Sequence, residues 1–365
     1  MKRRTLLAGT VAALVNKGAR AGAGDGMFEE AAQVLEKACA TGQVAAAALY
    51  VARREAKFVG SFGAAHSDQA MFLLGSITKP LCVTALMTLY DAGRFRLDDP
   101  LRKFIPQATG EGRDEVTMRH LLCHTSGLPD QLPENARLRK NHAPLAEFVD
   151  HALRIAPAFK PGTRYQYSSM GILLASRVAE ILSGEEIRTF VERVVFKPLE
   201  MKHSVLGLGR LTLEQVVTCQ IEHAAPEAGG GDPAASDWDW NSAYWRRLGA
   251  PWGGAHASAP DLGRFLAEFL ARGPAMLAPT TLELMVTNQN SAGLTPRGLG
   301  FNVGAAAGSP GCSEKTFGHT GSTGTLFWAD PGSQTVCVVL TSLPAAAVKP
   351  HPRDAAAARA AQQVK

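Results

Sequence analysis

The chain has 365 residues, of which 46% are hydrophobic and 19% charged, enough to bury a large core in one large or two modest domains. Its formal charge of +5 is carried by Lys2, Arg3, Arg4, Lys17 and Arg20, so the remainder is neutral and offers no basic stripe for nucleic acid. Six scattered cysteines (39, 82, 123, 219, 312 and 337) form no C-x-x-C pair, and reduced, structural thiols are expected.

In chain order, KRR, the apolar TLLAGTVAALV and Ala19-Arg20-Ala21 have the pattern of a signal peptide over residues 1–24. Arg3-Arg4 suits a twin-arginine signal and a periplasmic or secreted destination. The apolar run is too short to span a bilayer, so no membrane span is expected in the mature chain. MFEEAAQVLEKACATG has helical spacing and a Gly42 stop. QVAAAALYVA and KFVGSFG read as a strand hairpin. Residues 76–270 are mostly helical in pattern, with EAGGGDPAASD (227–237) as a flexible loop. Strands return at GLGFNVG, GTLFWAD and QTVCVVLTS, the last two joined by the turn Asp330-Pro331-Gly332-Ser333.

These elements predict an α+β fold: one antiparallel sheet built from both chain ends, flanked by helices, with a mostly helical subdomain over about 95–270. The main domain is expected over 25–345. The Ala-rich tail, 346–365, reads as a poor core builder and at most a surface helix.

Five stretches could carry chemistry. In Gly75-Ser76-Ile77-Thr78-Lys79-Pro80, Ser76 and Lys79 are three apart at a helix start, so an ammonium can reach the hydroxyl. A serine hydroxyl needs such an adjacent base to act as a nucleophile. The same spacing also fits an N-cap serine beside a solvated lysine. FGHTGSTGT (317–325) reads as a glycine-rich turn feeding a strand, able to present an amide to an oxyanion. No Gly-Lys-Ser/Thr follows it, which argues against a phosphate cradle.

His120 and His124 have the spacing of helix-borne metal ligands, but no H-E-x-x-H glutamate accompanies them. No metal or cofactor is expected, and His124 is assigned to capping its helix. Trp238, Trp240, Trp245 and Trp252 either pack a loop or wall a pocket. PGTRYQYSSMG (161–171) leads two tyrosines and two serines into an apolar helix.

Together, GSITKPLCVTALMTLYDAGRFRLDDPL, VTMRHLLCHTSGLPD, FKPGTRYQYSSMGILLASRVAEILSG, PWGGAHASAPDLGRFL and FGHTGSTG resemble the serine β-lactamase and penicillin-binding-protein family. The resemblance points to its class C β-lactamase, DD-peptidase and family VIII esterase branch, and covers about 28–342. It implies a β-lactamase/transpeptidase-like fold and a serine hydrolase acting on a small ester, amide or peptide through an acyl-enzyme. Ser76 then matches the nucleophile, Lys79 its proton partner and Tyr167 the proton-shuttling tyrosine of Y-x-N. His319, Thr320 and Gly321 match the K/H-T-G motif, and the amides of Ser76 and Ser322 match the oxyanion hole.

Two departures stand out. The motif asparagine is Ser169, which lacks an amide's paired donor and acceptor and weakens the expectation of efficient β-lactamase or peptidase action. The third motif begins with His319, which when neutral pulls less on a substrate carboxylate than lysine and whose charge is expected to change near pH 6.5. A non-catalytic cell-envelope binding protein on the same fold is the alternative.

Overall fold

The computed structural model describes residues 20–21 and 28–362. The stretch read as a signal peptide therefore lies, apart from Arg20 and Ala21, outside the described residues. The first elements are β1 (Arg20–Ala21), α1 (Glu29–Ala40), β2 (Ala46–Arg53), β3 (Ala56–Gly63), β4 (Phe72–Leu73) and α2 (Thr78–Asp91). The middle holds α3 (Met118–Leu122), α4 (Asn135–Lys140), α5 (Leu145–Arg154), α6 (Ser169–Ser183) and α7 (Ile187–Val191). It continues with β5 (Ser204–Leu206), α8 (Ala243–Leu248), β6 (Ala255–Ala257), α9 (Ala259–Ala271) and α10 (Pro279–Met285). The chain closes with β7 (Asn302–Val303), β8 (Phe317–Gly321), β9 (Thr325–Asp330), β10 (Thr335–Thr341) and α11 (Pro352–Gln362).

The main sheet is antiparallel with strand order β1-β3-β2-β10-β9-β8-β7, so both chain ends build it. Strands β2, β9 and β10 are buried on both faces, and the period-2 alternation sorts side chains between two cores. On β2, Ala46, Ala48 and Tyr50 face the larger core with α2, α6 and α9, whereas Ala47, Leu49 and Val51 face α1 and α11. Val338 of β10 pairs with Tyr50 on one side and Phe327 on the other, and all three serve the larger core.

The Ala-rich tail corrects the expectation placed on it. Ala356, Ala357 and Ala360 of α11 are fully buried in the core shared with α1. Small side chains bring less apolar area each but let two helices and a sheet approach closely. The stretch FGHTG also differs: it is strand β8 rather than a turn, paired with β9. A Cβ at Gly318 would sit 2.4 Å from the Phe327 carbonyl oxygen, so only glycine permits this pairing. The 227–237 loop contains two short 3₁₀ turns with Ala228 and Ala235 buried. A three-stranded sheet, β4-β6-β5, joins the helical middle to the segment before Ser76. Among the described residues, no helix is long and apolar enough to cross a membrane.

Candidate active site

Ser76 lies in a 3₁₀ turn (Gly75–Ile77) between β4 and α2. Gly75 enters that turn at φ +55°, and a Cβ there would meet the Ser322 amide nitrogen at 3.1 Å. The glycine thus lets the Ser76 turn and the end of β8 approach each other. Two hydroxyls fix the approach: Thr323 Oγ1 donates to the Leu73 carbonyl at 2.7 Å and Thr325 Oγ1 to the Leu74 carbonyl at 2.6 Å. On the far side, Arg353 of α11 donates to the carbonyls of Gly321 at 2.7 Å and Thr325 at 2.9 Å.

Lys79 is fully buried, and its Nζ donates to Ser76 Oγ and to the Trp252 carbonyl, both at 2.9 Å. The reading of Lys79 as a solvated lysine is therefore excluded. Its ammonium also lies 4.8 Å from the centroid of the Tyr167 ring. The Tyr167 hydroxyl is buried and makes no hydrogen bond to the protein. Tyr165, by contrast, packs edge-on against the His124 ring.

A cleft of about 480 Å³ brings together Ser76, Tyr167, Ser169, His319, Thr320, Gly321 and Ser322, while the buried Lys79 does not line it. Trp240, Trp245 and Trp252 form part of its wall, while Trp238 does not line it. The tryptophan segment is held by the buried Arg246, which donates to the Trp240 carbonyl at 2.8 Å and the Val217 carbonyl at 3.0 Å. Both readings of the cluster thus apply: its rings pack the loop, and three of them wall the cleft.

Ser169, at the first position of α6, donates from Oγ to Asp130 Oδ1 at 2.5 Å, and its amide donates to the same oxygen at 3.1 Å. Ser168 is the N-cap, with Oγ accepting from the Gly171 amide. A carboxylate therefore stands beside the position where an asparagine side chain was expected. Asp130 escaped the sequence reading because only folding of the 123–134 loop brings it to α6.

The histidines depart from expectation. His124 does not cap its helix through its side chain; its Nδ1 accepts from the Ser168 amide at 3.2 Å and its ring packs on Tyr167. His120 instead completes a capping box at the start of α3, with Nδ1 accepting from the Thr117 amide. His319 is 2% exposed, and burial together with the charges of Arg297 and Lys79 holds its pKa well below the ordinary value. The expected charge change near pH 6.5 is therefore corrected: His319 is neutral across the physiological range. Arg297, which sequence reading passed over, is 1% exposed and donates from Nη2 to His319 Nε2 at 2.8 Å.

Buried neutral imidazoles make the fold acid-sensitive. His256 is fully buried, and burial first, then Arg246, lowers its pKa to about 3. Below about pH 6.5 the unfolded chain binds a proton at this ring and the folded chain does not. Its contribution is thus fully present above pH 6.5 and is lost as pH falls toward 3, at about 1.4 kcal/mol per pH unit. His124 and His319 are lowered in the same direction. Urea unfolding at pH 7.5, 6.5, 5.5 and 4.5 is expected to show stability falling progressively below 6.5. A flat profile from 7.5 to 5 would contradict the buried neutral rings.

The family model described as Beta-lactamase matches residues 31–362. Penicillin-binding protein 4 of Amycolatopsis lactamdurans is 29% identical, over 77% of this chain and 74% of its own length. Esterase EstB of Burkholderia gladioli is 27% identical, over 67% of this chain and 70% of its own. The crystal structure of a penicillin-binding-protein homolog from Caulobacter crescentus superimposes with a TM-score of 0.76 at 20% identity, covering 95% of this chain and 100% of that one. The chain has the antiparallel-sheet fold of these proteins, and it belongs to the β-lactamase family of serine hydrolases.

Proposed function

We propose that the protein hydrolyses small esters or amides through an acyl-enzyme on Ser76. The carrying observation is the 2.9 Å hydrogen bond from the buried Lys79 ammonium to Ser76 Oγ, beside a buried Tyr167 hydroxyl without a protein partner. In this reading Ser76 Oγ attacks the substrate carbonyl carbon as its proton passes to the Tyr167 oxygen, which acts as the phenolate, with Lys79 orienting Oγ. The amides of Ser76 and Ser322 receive the oxyanion. Tyr167 returns the proton to the leaving alcohol or amine as the bond to it breaks. Water then repeats the sequence in reverse and frees the acid and Ser76.

The three-tryptophan wall favours an apolar group on the substrate. Ser169 and the carboxylate of Asp130, standing where the family's asparagine is expected, favour esterase over β-lactamase action. Residues 1–24 are proposed to direct export.

Intact-mass measurement during turnover of p-nitrophenyl butyrate tests the acyl-enzyme. The expected result is a transient adduct of one butyryl group, mapped by peptide analysis to Ser76. Steady p-nitrophenol release without that adduct, or an adduct at another residue, would overturn the proposal. Running nitrocefin and a D-alanyl-D-alanine peptide on the same preparation is expected to give slower turnover than the ester.

A further inference from the structure

Arg297 sits in the turn before β7, and its deep burial requires an account, because a charge is costly to remove from water unless something answers it. Its hydrogen-bond acceptors among the described residues are all neutral: Asn302 Oδ1, the Gly300 carbonyl at 3.4 Å and His319 Nε2 at 2.8 Å. Its Nε is buried with no partner at all. His319 Nδ1 lies 2.8 Å from the Thr320 carbonyl. One tautomer satisfies both contacts, with the proton on Nδ1 and the Nε2 lone pair toward the guanidinium.

Arg297 is itself part of the cleft wall, and it faces Tyr167 there. Its guanidinium carbon is 5.5 Å from the Tyr167 ring centroid, and the Lys79 ammonium is 4.8 Å from that same ring. The other groups against Tyr167 are the imidazoles of His124 and His319, with ring centroids at 4.5 and 6.1 Å. Burial and the neighbouring cations keep both of these neutral. Asp130 lines the same cleft but has its Oδ1 engaged by Ser169. Tyr167 is thus a half-buried ring with a buried hydroxyl and two buried cations against it. Both attract the neutral ring face, and both gain far more from a full negative charge on the oxygen.

We propose that Arg297 is a positioning residue that supplies, from beside a neutral His319, a fixed positive charge next to the third motif, and that with Lys79 it readies Tyr167 to give up its proton. This rests on the reading of Tyr167 as the proton carrier of the hydrolase, and it adds a residue that the motif spacing does not contain. The protein sets the charge on a guanidinium that cannot deprotonate and uses the histidine only as a hydrogen-bond acceptor.

The test is the ionisation of Tyr167 in the substrate-free protein, read as the difference in tyrosinate absorbance between each protein and its Tyr167→Phe counterpart during a pH titration. Arg297→Gln is expected to raise the midpoint by at least about one pH unit, and Arg297→Lys to leave it within about half a unit of the parent. The acid limb of labelling by a neutral fluorophosphonate is expected to move in parallel. An unmoved midpoint in Arg297→Gln would overturn the proposal. So would a rate loss confined to anionic esters, neutral esters of equal length being unaffected, since that pattern belongs to a carboxylate-binding arginine.

If Arg297→Gln does not fold, His319→Gln carries the test, because it keeps both the guanidinium and an acceptor for it. Its midpoint is expected to stay in place, and a rise of a unit would make His319, not Arg297, the source of the charge. The titration needs no turnover, so its outcome is separate from whether Ser76 is the nucleophile.

Discussion

Replacing Ser76 with alanine is expected to lower ester hydrolysis by at least about 10⁴-fold and to abolish labelling by a fluorophosphonate. The size of the effect follows from what remains. The cleft and the amides of Ser76 and Ser322 are still present, so substrate binds and polarises, but no protein oxygen is placed to form the acyl bond. Folding is expected to survive, because Ser76 is only partly buried and its one side-chain hydrogen bond comes from Lys79. Lys79 keeps the Trp252 carbonyl as a second acceptor. The measurement is p-nitrophenyl butyrate turnover and probe labelling on protein whose melting temperature matches the parent. Turnover within tenfold of the parent, or persistent labelling, would put the chemistry on another residue.

The second large effect is expected at Lys79. Lys79→Met preserves shape along α2 and removes the ammonium, and it is expected to slow acylation by about 10³-fold, within the range that general acid–base groups contribute. Burial makes the loss this large. A fully buried ammonium acts without solvent screening on Ser76 Oγ and on Tyr167, 4.8 Å from its ring. The variant also leaves the Trp252 carbonyl without its donor, a cost of about 1–3 kcal/mol that thermal unfolding will register separately. Pre-steady-state labelling rates on folded protein isolate the chemical part. A labelling rate within tenfold of the parent would remove Lys79 from the acylation step.

Much of this site was legible in the sequence because its parts lie in short motifs. Ser76 and Lys79 are one helical turn apart, and Tyr167, His319 and Ser322 each sit in a recognisable stretch. What escaped depends on contacts that no local pattern encodes. The Trp252 carbonyl that anchors Lys79 is backbone and leaves no side-chain signature. Arg297 lies in TPRGLGF, which reads as a turn; the signal available was a lone arginine in an otherwise apolar, glycine-rich segment. The neutrality of His319 follows from burial, which spacing alone does not report.

The fold shows the same division. The β2–β3 hairpin, α5, α9, β9 and β10 follow clear periodicities, and the structure has them where the periodicity puts them. The β4-β6-β5 sheet was invisible because its strands have two or three residues each. The helix α11 was undervalued because alanine ranks low as a core former, although here its smallness is what seats the helix against α1.

The clamp from Arg353 onto Gly321 and Thr325 has a consequence for how the protein comes to life during synthesis. Ser76 emerges early, but the strand that faces it is completed only by β10, which pairs with β2 across nearly the whole chain. The Gly321 carbonyl at the end of β8 and the Thr325 carbonyl at the start of β9 are then held by a residue of the last helix. Loop closure over such distances is slow, so local helices form well before the sheet is zipped. A nascent chain bearing Ser76 and Lys79 therefore lacks the wall opposite Ser76, which is complete only when the final helix docks.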